Sequence, residues 1–377
     1  MRPISTLRKQ PEQGGAAMNI LVLEPYYGGS HKAFLSGLIR HRPYAFDLLT
    51  LPAHSWKWRM RLAAPHFAGV LATDPRYAGK TFDRMLCSSL VDVAALRGLL
   101  PPNLRTVPLL TYFHENQFAY PVQVSEARDV HFGLTNLTTA LASDGLAFNS
   151  QYNLDSFLAG CKELLAKMPD MSLAGYEEAI RAKAAILQPG LDFRGIDACQ
   201  EERQTNSPPV LVWNHRWEHD KNPELFFNTL YALKEQGVPF GLIVLGESFR
   251  TQPSIFAEAA QRLARHIVHF GYAADRQEYC RLLCQGDVVV STARHEFYGM
   301  AVLEAVRAGC RPLAPDRLSY RELFPPSFRY EDGDFAGKLL AAMAAGRLTT
   351  HEAHSLTSRV SWTELVGNYK QWFEAQG

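Results

Sequence analysis

Two glutamates eight positions apart, Glu296 and Glu304, stand in a segment that has the pattern of a buried strand, a tight turn and a helix. Glu296 precedes the helix, where a carboxylate can accept hydrogen bonds from sugar hydroxyls. Glu304 lies about two turns into the helix, where it can bind a ribose diol. The helix begins within the intervening residues Phe297, Tyr298, Gly299 and Met300. The amides of the last three can attract a diphosphate without a metal, so the segment predicts a nucleotide-sugar site.

A second strand-to-helix connection carries two cations, Arg216 and Lys221. Residues 210–213 have the pattern of a strand and residues 223–233 that of a helix, so both cations fall in the loop between them. They can neutralise a diphosphate and the charge that develops on it as a leaving group. The alternatives for these patterns are a solvated charged loop here and two solvated glutamates in the other segment. The two patterns occur together, and this favours a donor site in which Arg216, Lys221 and Glu296 act in catalysis.

Composition excludes several classes of protein. The 377 residues suffice for two domains, and 39 lysines and arginines nearly balance 38 acidic residues, so a polyanion must be bound by a local patch. Six cysteines without a Cys-x-x-Cys spacing indicate a reduced, cytoplasmic protein without structural zinc. No apolar run is long enough for a membrane helix. Residues 1–17 have no apolar core typical of a signal peptide, and we expect a disordered leader there.

The first half of the chain predicts one α/β domain over residues 18–192. Residues 19–24 form an apolar strand that leads through Gly28 and Gly29 into a helical pattern, as in the opening unit of a doubly wound sheet. The alternative for the two glycines is a simple tight turn. Further strands are predicted at residues 46–51, 85–87, 107–113, 145–148 and 185–187.

The second half predicts a similar domain. A polar segment at residues 193–209 is typical of a linker, and strands follow at residues 210–213, 241–245, 267–270, 288–290 and 311–314. The second domain would span residues 210–360, with a closing amphipathic helix at 361–377. The predicted fold class is α/β, with two doubly wound, Rossmann-like domains that face a central cleft. The donor would bind mainly to the second domain and the acceptor mainly to the first.

Acceptor-side candidates come from two places in the first domain. His114, Asn116 and Gln117 follow the strand that ends near residue 113, although a lone histidine is often structural. Indoles and cations alternate along Trp56, Lys57, Trp58 and Arg59. Such a segment can stack on unpaired bases while it contacts phosphates. The alternative is a loop whose tryptophans pack on the domain and whose cations are solvated.

Residues 18–374 resemble the family-4 retaining glycosyltransferases of the two-domain GT-B type. Longer strings are more specific: residues 24–32, 51–61, 112–117, 148–150, 215–221 and 291–299 look like the tRNA-queuosine alpha-mannosyltransferase family. These strings include unusual combinations such as Tyr-Phe-His-Glu-Asn-Gln and Trp-Lys-Trp-Arg-Met-Arg. They are far more specific than the glutamate pair.

The resemblance implies that mannose moves from GDP-mannose to the cyclopentene-diol of queuosine in an aspartate tRNA, without a metal or other cofactor. It also implies that Arg216 and Lys221 hold the diphosphate, Glu296 the sugar and Glu304 the ribose. Gly28 and Gly29 would approach the diphosphate, and His114 would lie near the transferred sugar. No membrane or protein partner is implied. The alternatives are a family-4 enzyme with another donor or a small-molecule acceptor, and a tRNA-binding protein without catalysis.

Overall fold

The chain divides into two compact units. Unit 1 comprises residues 1–190 and 362–377, and unit 2 comprises residues 191–361. The computed structural model describes residues 8–9, 18–120, 129–170, 172–200, 205–247 and 252–375. Each unit has a mainly parallel sheet with apolar clusters on both faces, so the predicted α/β class is confirmed.

The strands in the described residues are β1 (Arg8–Lys9), β2 (Asn19–Tyr27), β3 (Ala45–Pro52), β4 (Arg84–Ser88), β5 (Leu109–Phe113), β6 (Gly145–Phe148), β7 (Ala184–Ile186), β8 (Val210–Asn214), β9 (Gly241–Leu245), β10 (Ile267–Gly271), β11 (Val288–Val290), β12 (Arg311–Pro315) and β13 (Arg329–Tyr330). The helices are α1 (Gly29–His41), α2 (Trp56–Thr73), α3 (Val93–Leu99), α4 (Val130–Ala142), α5 (Gln151–Leu165), α6 (Tyr176–Arg181), α7 (Arg194–Asp197), α8 (Pro223–Glu235), α9 (Ile255–Arg262), α10 (Arg276–Gln285), α11 (Met300–Arg307), α12 (Tyr320–Leu323), α13 (Phe335–Ala345), α14 (Thr350–Thr357) and α15 (Trp362–Glu374).

The sheet of unit 1 has the order β1-β3-β2-β4-β5-β6-β7, and its pairings are parallel except that of β1 with β3. Alternate residues of β2 point to opposite faces, so Ile20 and Val22 join one apolar cluster and Leu21 and Leu23 join another. The chain runs from β2 to β3 on one side and returns to β4 on the other. The reversal creates a switch point between the carboxyl ends of β2 and β4, where such sheets bind ligands.

The sheet of unit 2 has the order β10-β9-β8-β11-β12-β13, with parallel pairings throughout its described strands. Its switch point lies between β8 and β11. Val210 and Val212 of β8 pack on one face of the sheet, while Leu211 and Trp213 pack on the other. The loops that follow β8 and β11 carry the cations and glutamates singled out in the sequence.

The unit boundaries differ from the expected ones. Residues 193–209 were expected to be a linker, but Phe193 and Ile196 are buried in the core of unit 2 and α7 forms beside them. The closing helix α15 belongs to unit 1, where Trp362 fills the space beside Gly37 and Gly190. Of the expected leader, Arg8 and Lys9 form β1, and the other residues lie outside the described part of the chain.

A helix that the sequence analysis did not identify, α2, begins at Trp56. It runs through Pro65 and buries one face that includes Met60, Ala64 and Phe67. Residues 56–59, for which the alternative interpretation was a loop, are therefore the first turn of a helix. Across the described residues, no helix combines the length and the apolar character that a membrane span requires.

Candidate active site

The loops after β8 and β11 are joined by hydrogen bonds at the switch point of unit 2. Thr292 Oγ1 donates to the carbonyl oxygen of Lys221 at 2.9 Å, and the Arg294 amide donates to that of Asp220 at 2.8 Å. Lys221 Nζ in turn donates to the carbonyl oxygen of His295 at 2.8 Å. The loop that carries the two cations and the loop that carries Glu296 are thus held together by these hydrogen bonds.

Lys221 lies between two carboxylates. Its Nζ is 3.1 Å from Asp220 Oδ2 and 3.3 Å from Glu296 Oε2, and its side chain is 8% exposed. Burial alone would lower the pKa of Lys221, but Glu296 and Asp220 raise it above its usual value. Burial would raise the pKa of Glu296, but Lys221 and His215 outweigh that effect and lower it to about 2. Both groups are therefore charged at neutral pH, as a donor site requires.

His215 stays neutral beside this pair. Its Nε2 lies 3.3 Å from the carbonyl oxygen of Val290, and its ring packs edge-on against Trp213. Burial, followed by the positive charge of Lys221, lowers its pKa to about 4. His215 belongs to the string of residues 215–221, and no role was predicted for it. A buried neutral imidazole leaves Lys221 as the cation at the end of β8.

Arg216 lies on the surface of the same loop. Its side chain is 45% exposed, and its Nη2 lies 3.1 Å from Glu218 Oε2. Its charge lowers the pKa of Lys221, which shows that the two cations act on one another. The loop therefore presents one buried and one accessible positive charge.

The turn before α11 uses Gly299 as its cap. Gly299 has a φ of 101°, and a Cβ there would lie 3.0 Å from the ring of Tyr320. The Tyr298 amide donates to Glu296 Oε1 at 3.2 Å. This corrects the expectation that the Tyr298 amide is available to a diphosphate, because Glu296 accepts its hydrogen. Phe297 packs edge-on against His295, and Met300 packs against the apolar core, so their side chains support the turn.

Glu304 is held by two residues of α10. Its Oε1 accepts from Arg276 Nη2 at 2.6 Å, and its Oε2 accepts from the Tyr279 hydroxyl at 2.9 Å. Asn214, the last residue of β8, donates to that hydroxyl at 3.3 Å. The carboxylate is thus fixed in position little more than one turn into α11, and not two turns as expected, because the helix begins only at Met300. The sequence analysis did not identify Arg276 or Tyr279.

The start of α1 is an open helix N-terminus in unit 1. None of the described residues caps it with a side chain. A Cβ on Gly28 would lie 2.4 Å from that of Ala53, and Gly29 has a φ of 49°, which favours glycine. The free amides of the first turn can attract an anion.

His114 lies directly after β5 and packs on a second histidine. The rings of His31 and His114 are 4.1 Å apart, and both side chains are buried. His31 Nδ1 lies 3.1 Å from Glu24 Oε2, and its Nε2 lies 3.4 Å from Glu115 Oε2. Burial alone would lower the pKa of His31, but the two carboxylates raise it to about 10. Burial and then His31 hold the pKa of His114 well below its usual value.

Donor atoms of Glu24, His31 and His114 all lie within 4.8 Å of one another, close enough for a metal ion. Both ring nitrogens of His31 face carboxylates, which favours a proton on each of them and raises the pKa of the ring. A doubly protonated imidazole has no lone pair for a metal. We therefore interpret the cluster as a set of ion pairs around a histidine cation.

Asn116 is committed to the structure of its own loop. Its Nδ2 donates to Asn153 Oδ1 at 2.9 Å, and its Oδ1 accepts from the amides of Phe118 and Ala119. This corrects the expectation that its amide contacts the acceptor, because its donors and acceptor already have partners. Gln117 is also buried, and its backbone amide donates to Asn136 Oδ1 at 2.8 Å.

The first turn of α2 separates the two tryptophans. Trp56 packs on Phe132 and Tyr120 with ring centroids 5.2 and 5.8 Å apart, whereas Trp58 is 66% exposed. The expectation that both indoles contact RNA is corrected for Trp56, whose ring packs on its own unit. An open groove of about 390 Å³ lies beside Trp58; its lining is Leu51, Trp58, Arg59, Leu62, Ala63, Pro65 and His66. Lys57 is exposed and Arg59 is partly exposed at its edge.

Comparison with known proteins identifies the family. Residues 19–191 match the domain described as tRNA-queuosine alpha-mannosyltransferase N-terminal, and residues 198–329 match glycosyl transferases group 1. A tRNA-queuosine alpha-mannosyltransferase of Drosophila melanogaster is 37% identical over 333 residues, which cover 86% of each chain. The chain belongs to the tRNA-queuosine alpha-mannosyltransferase family. The predictions of the family and of a glycosyltransferase are therefore confirmed.

More distant relatives agree with this placement. A GDP-mannose:cellobiosyl-diphosphopolyprenol alpha-mannosyltransferase of Xanthomonas campestris is 23% identical over 194 residues, 48% of this chain and 51% of the relative. The solved structure of Anabaena HepE in complex with UDP has a TM-score of 0.66 at 14% identity, over 95% of this chain and 100% of HepE. The structure of sucrose-phosphate synthase of Thermosynechococcus elongatus has a TM-score of 0.68 at 13% identity, over 95% of this chain and 100% of the synthase. These similarities confirm the GT-B fold of this family member.

Several polar residues at the switch points were missed by sequence reasoning. Glu24 and His31 flank Gly28 and Gly29, and a buried strand that ends in a carboxylate is a signal that could have drawn attention to them. Asp220 is adjacent to Lys221 and could have been read as its counter-charge. Arg276 carries no comparable signal, because a charged residue at the start of a helix is common.

Proposed function

We propose that the protein transfers mannose from GDP-mannose to the cyclopentene-diol of queuosine in the anticodon of an aspartate tRNA, with retention of configuration and without a metal. The ion pair between the buried Lys221 and the partly buried Glu296 at the switch point of unit 2 carries the proposal. It joins a phosphate-binding cation to a sugar-binding carboxylate in a chain of this family. The name of the Drosophila relative supports the acceptor, and that of the Xanthomonas relative supports the donor.

When the donor binds, its phosphate and hydroxyl groups would replace the ion pairs that are present in unit 2. Lys221 and Arg216 would meet the diphosphate, while Glu296 would accept hydrogen bonds from sugar hydroxyls. The ribose diol would bind to Glu304, whose carboxylate Arg276 and Tyr279 already hold in position. The amides of Gly299 and Met300 at the start of α11 would add positive potential. In unit 1, the turn at Gly28 and Gly29 offers a further set of uncapped amides to an anion.

The chemistry needs no covalent carboxylate. As the bond from the anomeric carbon to the diphosphate breaks, negative charge grows on the leaving oxygen, and Lys221 and Arg216 stabilise that charge. The same oxygen can take the proton of the attacking hydroxyl when the acceptor approaches from its side. The acceptor oxygen then replaces the diphosphate on the same face, which retains the configuration. His114 would bind the sugar during the transfer.

The acceptor tRNA would bind to the exposed start of α2. Lys57 and Arg59 can contact phosphates, and Trp58 offers an open indole face to an unpaired base. Trp56 would hold the helix on unit 1 through Phe132. The buried Gln117 lies near His114 in sequence and is a further acceptor-side candidate. None of the six cysteines, all within the described residues, forms a disulfide, as is typical of proteins in the reducing cytoplasm.

The experiment combines two donors with two tRNAs and analyses the nucleosides by mass spectrometry. The tRNAs are an aspartate tRNA that carries queuosine and the same tRNA with guanosine at that position. With GDP-mannose, the queuosine nucleoside should gain the mass of one hexose, and the guanosine tRNA should not change. Transfer from UDP-glucose but not from GDP-mannose would indicate another donor. Binding of tRNA without transfer or hydrolysis of any nucleotide sugar would indicate a protein that only binds tRNA.

A further inference from the structure

Four polar side chains meet at the switch point of unit 1. Glu24 lies on β2, His31 is the third residue of α1, and His114 and Glu115 follow β5. Glu24 Oε1 also accepts from the Tyr26 amide at 2.7 Å and from Ser88 Oγ, at the end of β4, at 3.3 Å. The carboxyl ends of three adjacent strands thus converge on a buried polar cluster. The family assignment alone gives this cluster no role beyond that expected of His114.

The geometry at His31 requires a cation. One ring nitrogen lies 3.1 Å from Glu24 Oε2 and the other 3.4 Å from Glu115 Oε2. A carboxylate can only accept hydrogen bonds, so both ring nitrogens must carry protons. The charges of Glu24, Glu115 and the His31 imidazolium sum to one negative charge. His31 is buried, so solvent screens these interactions little.

The ring of His114 lies next to this cation and is surrounded by aromatic rings. Its ring lies 4.1 Å from that of His31, 4.6 Å from Tyr112 and 5.0 Å from Phe34. None of the described residues forms a hydrogen bond with the ring nitrogens of His114, which leaves them for a ligand. The titratable groups around the two rings are Glu24, Glu115, Tyr26 and Tyr112.

We propose that His31 is a positioning residue: as an imidazolium clamped between Glu24 and Glu115, it holds the adjacent His114 ring in place and helps to keep it neutral for contact with the transferred sugar. This inference rests on the proposed role of His114. A neutral imidazole has one donor and one acceptor, so it can either donate a hydrogen bond to a sugar hydroxyl or accept one from it. A protonated His114 could only donate.

Charge is the second reason for a neutral His114. Positive charge develops on the sugar ring as the glycosidic bond breaks, as in other glycosyl-transfer reactions. A protonated His114 beside the sugar would oppose that charge. The clamp places its own positive charge between two carboxylates and leaves the cluster with a net negative charge, which favours the developing cation.

The first test is NMR of the wild-type protein with isotope-labelled histidine, titrated from pH 5 to pH 8 without substrate. His31 should remain protonated and His114 neutral over the whole range. A neutral His31 at pH 7, or a His114 that titrates near its ordinary value, would overturn the proposal. A shift of both histidines on addition of zinc alone, with loss of the His31 proton, would also overturn it in favour of a metal site. Because this arm needs no donor or tRNA, its result is independent of the proposed function.

The second test separates charge from shape with His31→Gln and His31→Lys. Without the adjacent cation, burial alone still lowers the pKa of His114, and Glu24 lies within 4.8 Å of it, so this pKa rises and His114 takes up a proton as the pH falls. The pH profile of the glutamine variant should therefore gain an acidic limb, in which kcat falls roughly tenfold per pH unit below that pKa. The lysine variant restores the charge and should lack that limb.

His41→Gln provides the matched control for these variants. His41 lies on the same helix, but its Nδ1 lies 2.9 Å from the carbonyl oxygen of Gly37 and its ring stacks on Trp362. This control should keep the wild-type pH profile. If His31→Gln lowers kcat equally at every pH, or if the lysine variant shows the same limb, the role of His31 is merely structural. If the glutamine variant does not fold, the NMR titration of the wild type decides.

Discussion

Lys221 Nζ and Glu296 Oε2 lie 3.3 Å apart, although the two residues are separated by 75 positions in the chain. The pair joins the loop after β8 to the loop after β11 at the switch point of unit 2. Each partner holds the other in its charged form. The same atoms therefore stabilise the loops and are expected to bind the two ends of the donor's sugar-phosphate bond. Substitutions here will affect both stability and turnover, and each prediction must measure both.

Replacing the two cations should separate these effects. Arg216→Ala should lower kcat roughly a hundredfold or more with little change in stability, because the exposed side chain acts mainly on the leaving group. Lys221→Ala should lower kcat as strongly and also destabilise the fold by about 2 kcal/mol, because it leaves the partly buried Glu296 and Asp220 without their cation. Steady-state kinetics and urea unfolding measure the two quantities. Lys234→Ala, on the far end of α8, is the control, and near-normal turnover in both variants would remove the proposed role.

The two glutamates should affect different steps. Glu304→Gln weakens a charge-assisted bond to the ribose diol and should reduce GDP affinity by about 2 kcal/mol, or some thirtyfold. Glu296→Gln should mainly lower kcat, because it contacts Lys221 and is proposed to bind the sugar. Calorimetry with GDP tests the first statement, with Glu258→Gln on α9 as a control. Equal affinity of the wild type and Glu304→Gln for GDP would reject the ribose assignment.

Activity should persist in excess EDTA. Lys221, Arg216 and the start of α11 together can supply the positive potential that magnesium supplies in other nucleotide-sugar enzymes. The measurement is the rate of sugar transfer before and after dialysis against the chelator. A loss that a divalent ion restores would show that the interpretation of the site is wrong.

His215 should make the fold sensitive to mild acid. Its pKa falls from 6.5 to about 4 on folding, so the unfolded chain binds a proton in this window while the folded chain does not. The free energy of unfolding should therefore decrease as the pH falls from 6.5 to 4, by up to about 3 kcal/mol. His215→Gln should flatten this decrease. His219→Gln, an exposed histidine of the same loop, should keep the wild-type slope, and an equal slope in all three proteins would contradict the prediction.

The start of α2 should contribute to tRNA binding through its exposed residues. Lys57→Ala with Arg59→Ala should weaken binding and reduce its salt dependence, because fewer counterions are released. Trp58→Ala should weaken binding without lowering Tm, whereas Trp56→Ala should lower Tm because its ring packs on Phe132. Filter binding at several salt concentrations measures the slope, with GDP-mannose affinity as the control. A wild-type slope in the double variant would place the acceptor surface elsewhere.

Strands with continuous apolar runs could be predicted from the sequence. Residues 145–148, 241–245 and 288–290 have the bounds expected for them, since a strand buried on both faces must be apolar throughout. Helix α2 was missed because its exposed face mixes indoles and cations and because Pro65 lies within it. A proline normally indicates the end of a helix.

The donor-site residues were predictable because their types and spacing lie within two short segments. Their pairings were not, since Lys221 and Glu296 become neighbours only when β8 and β11 pair in the sheet. The same limit applies to His31, whose partner Glu115 is 84 positions away. The sequence displays the charges, but only the order of the strands determines which of them meet.

Because Trp362 packs in the core of unit 1 but follows unit 2 in the sequence, the core of unit 1 can be completed only after unit 2 has been synthesised. Its indole occupies the space beside Gly37 and Gly190, and α15 adds Tyr369 and Phe373 to the same core of unit 1. Unit 2 is one continuous segment that the ribosome finishes before α15 emerges. Unit 1 begins first but must wait for the last helix before its core is closed. Until then, a strip of apolar surface on the earlier-made part stays uncovered, and a chain that stops short of Trp362 keeps it exposed.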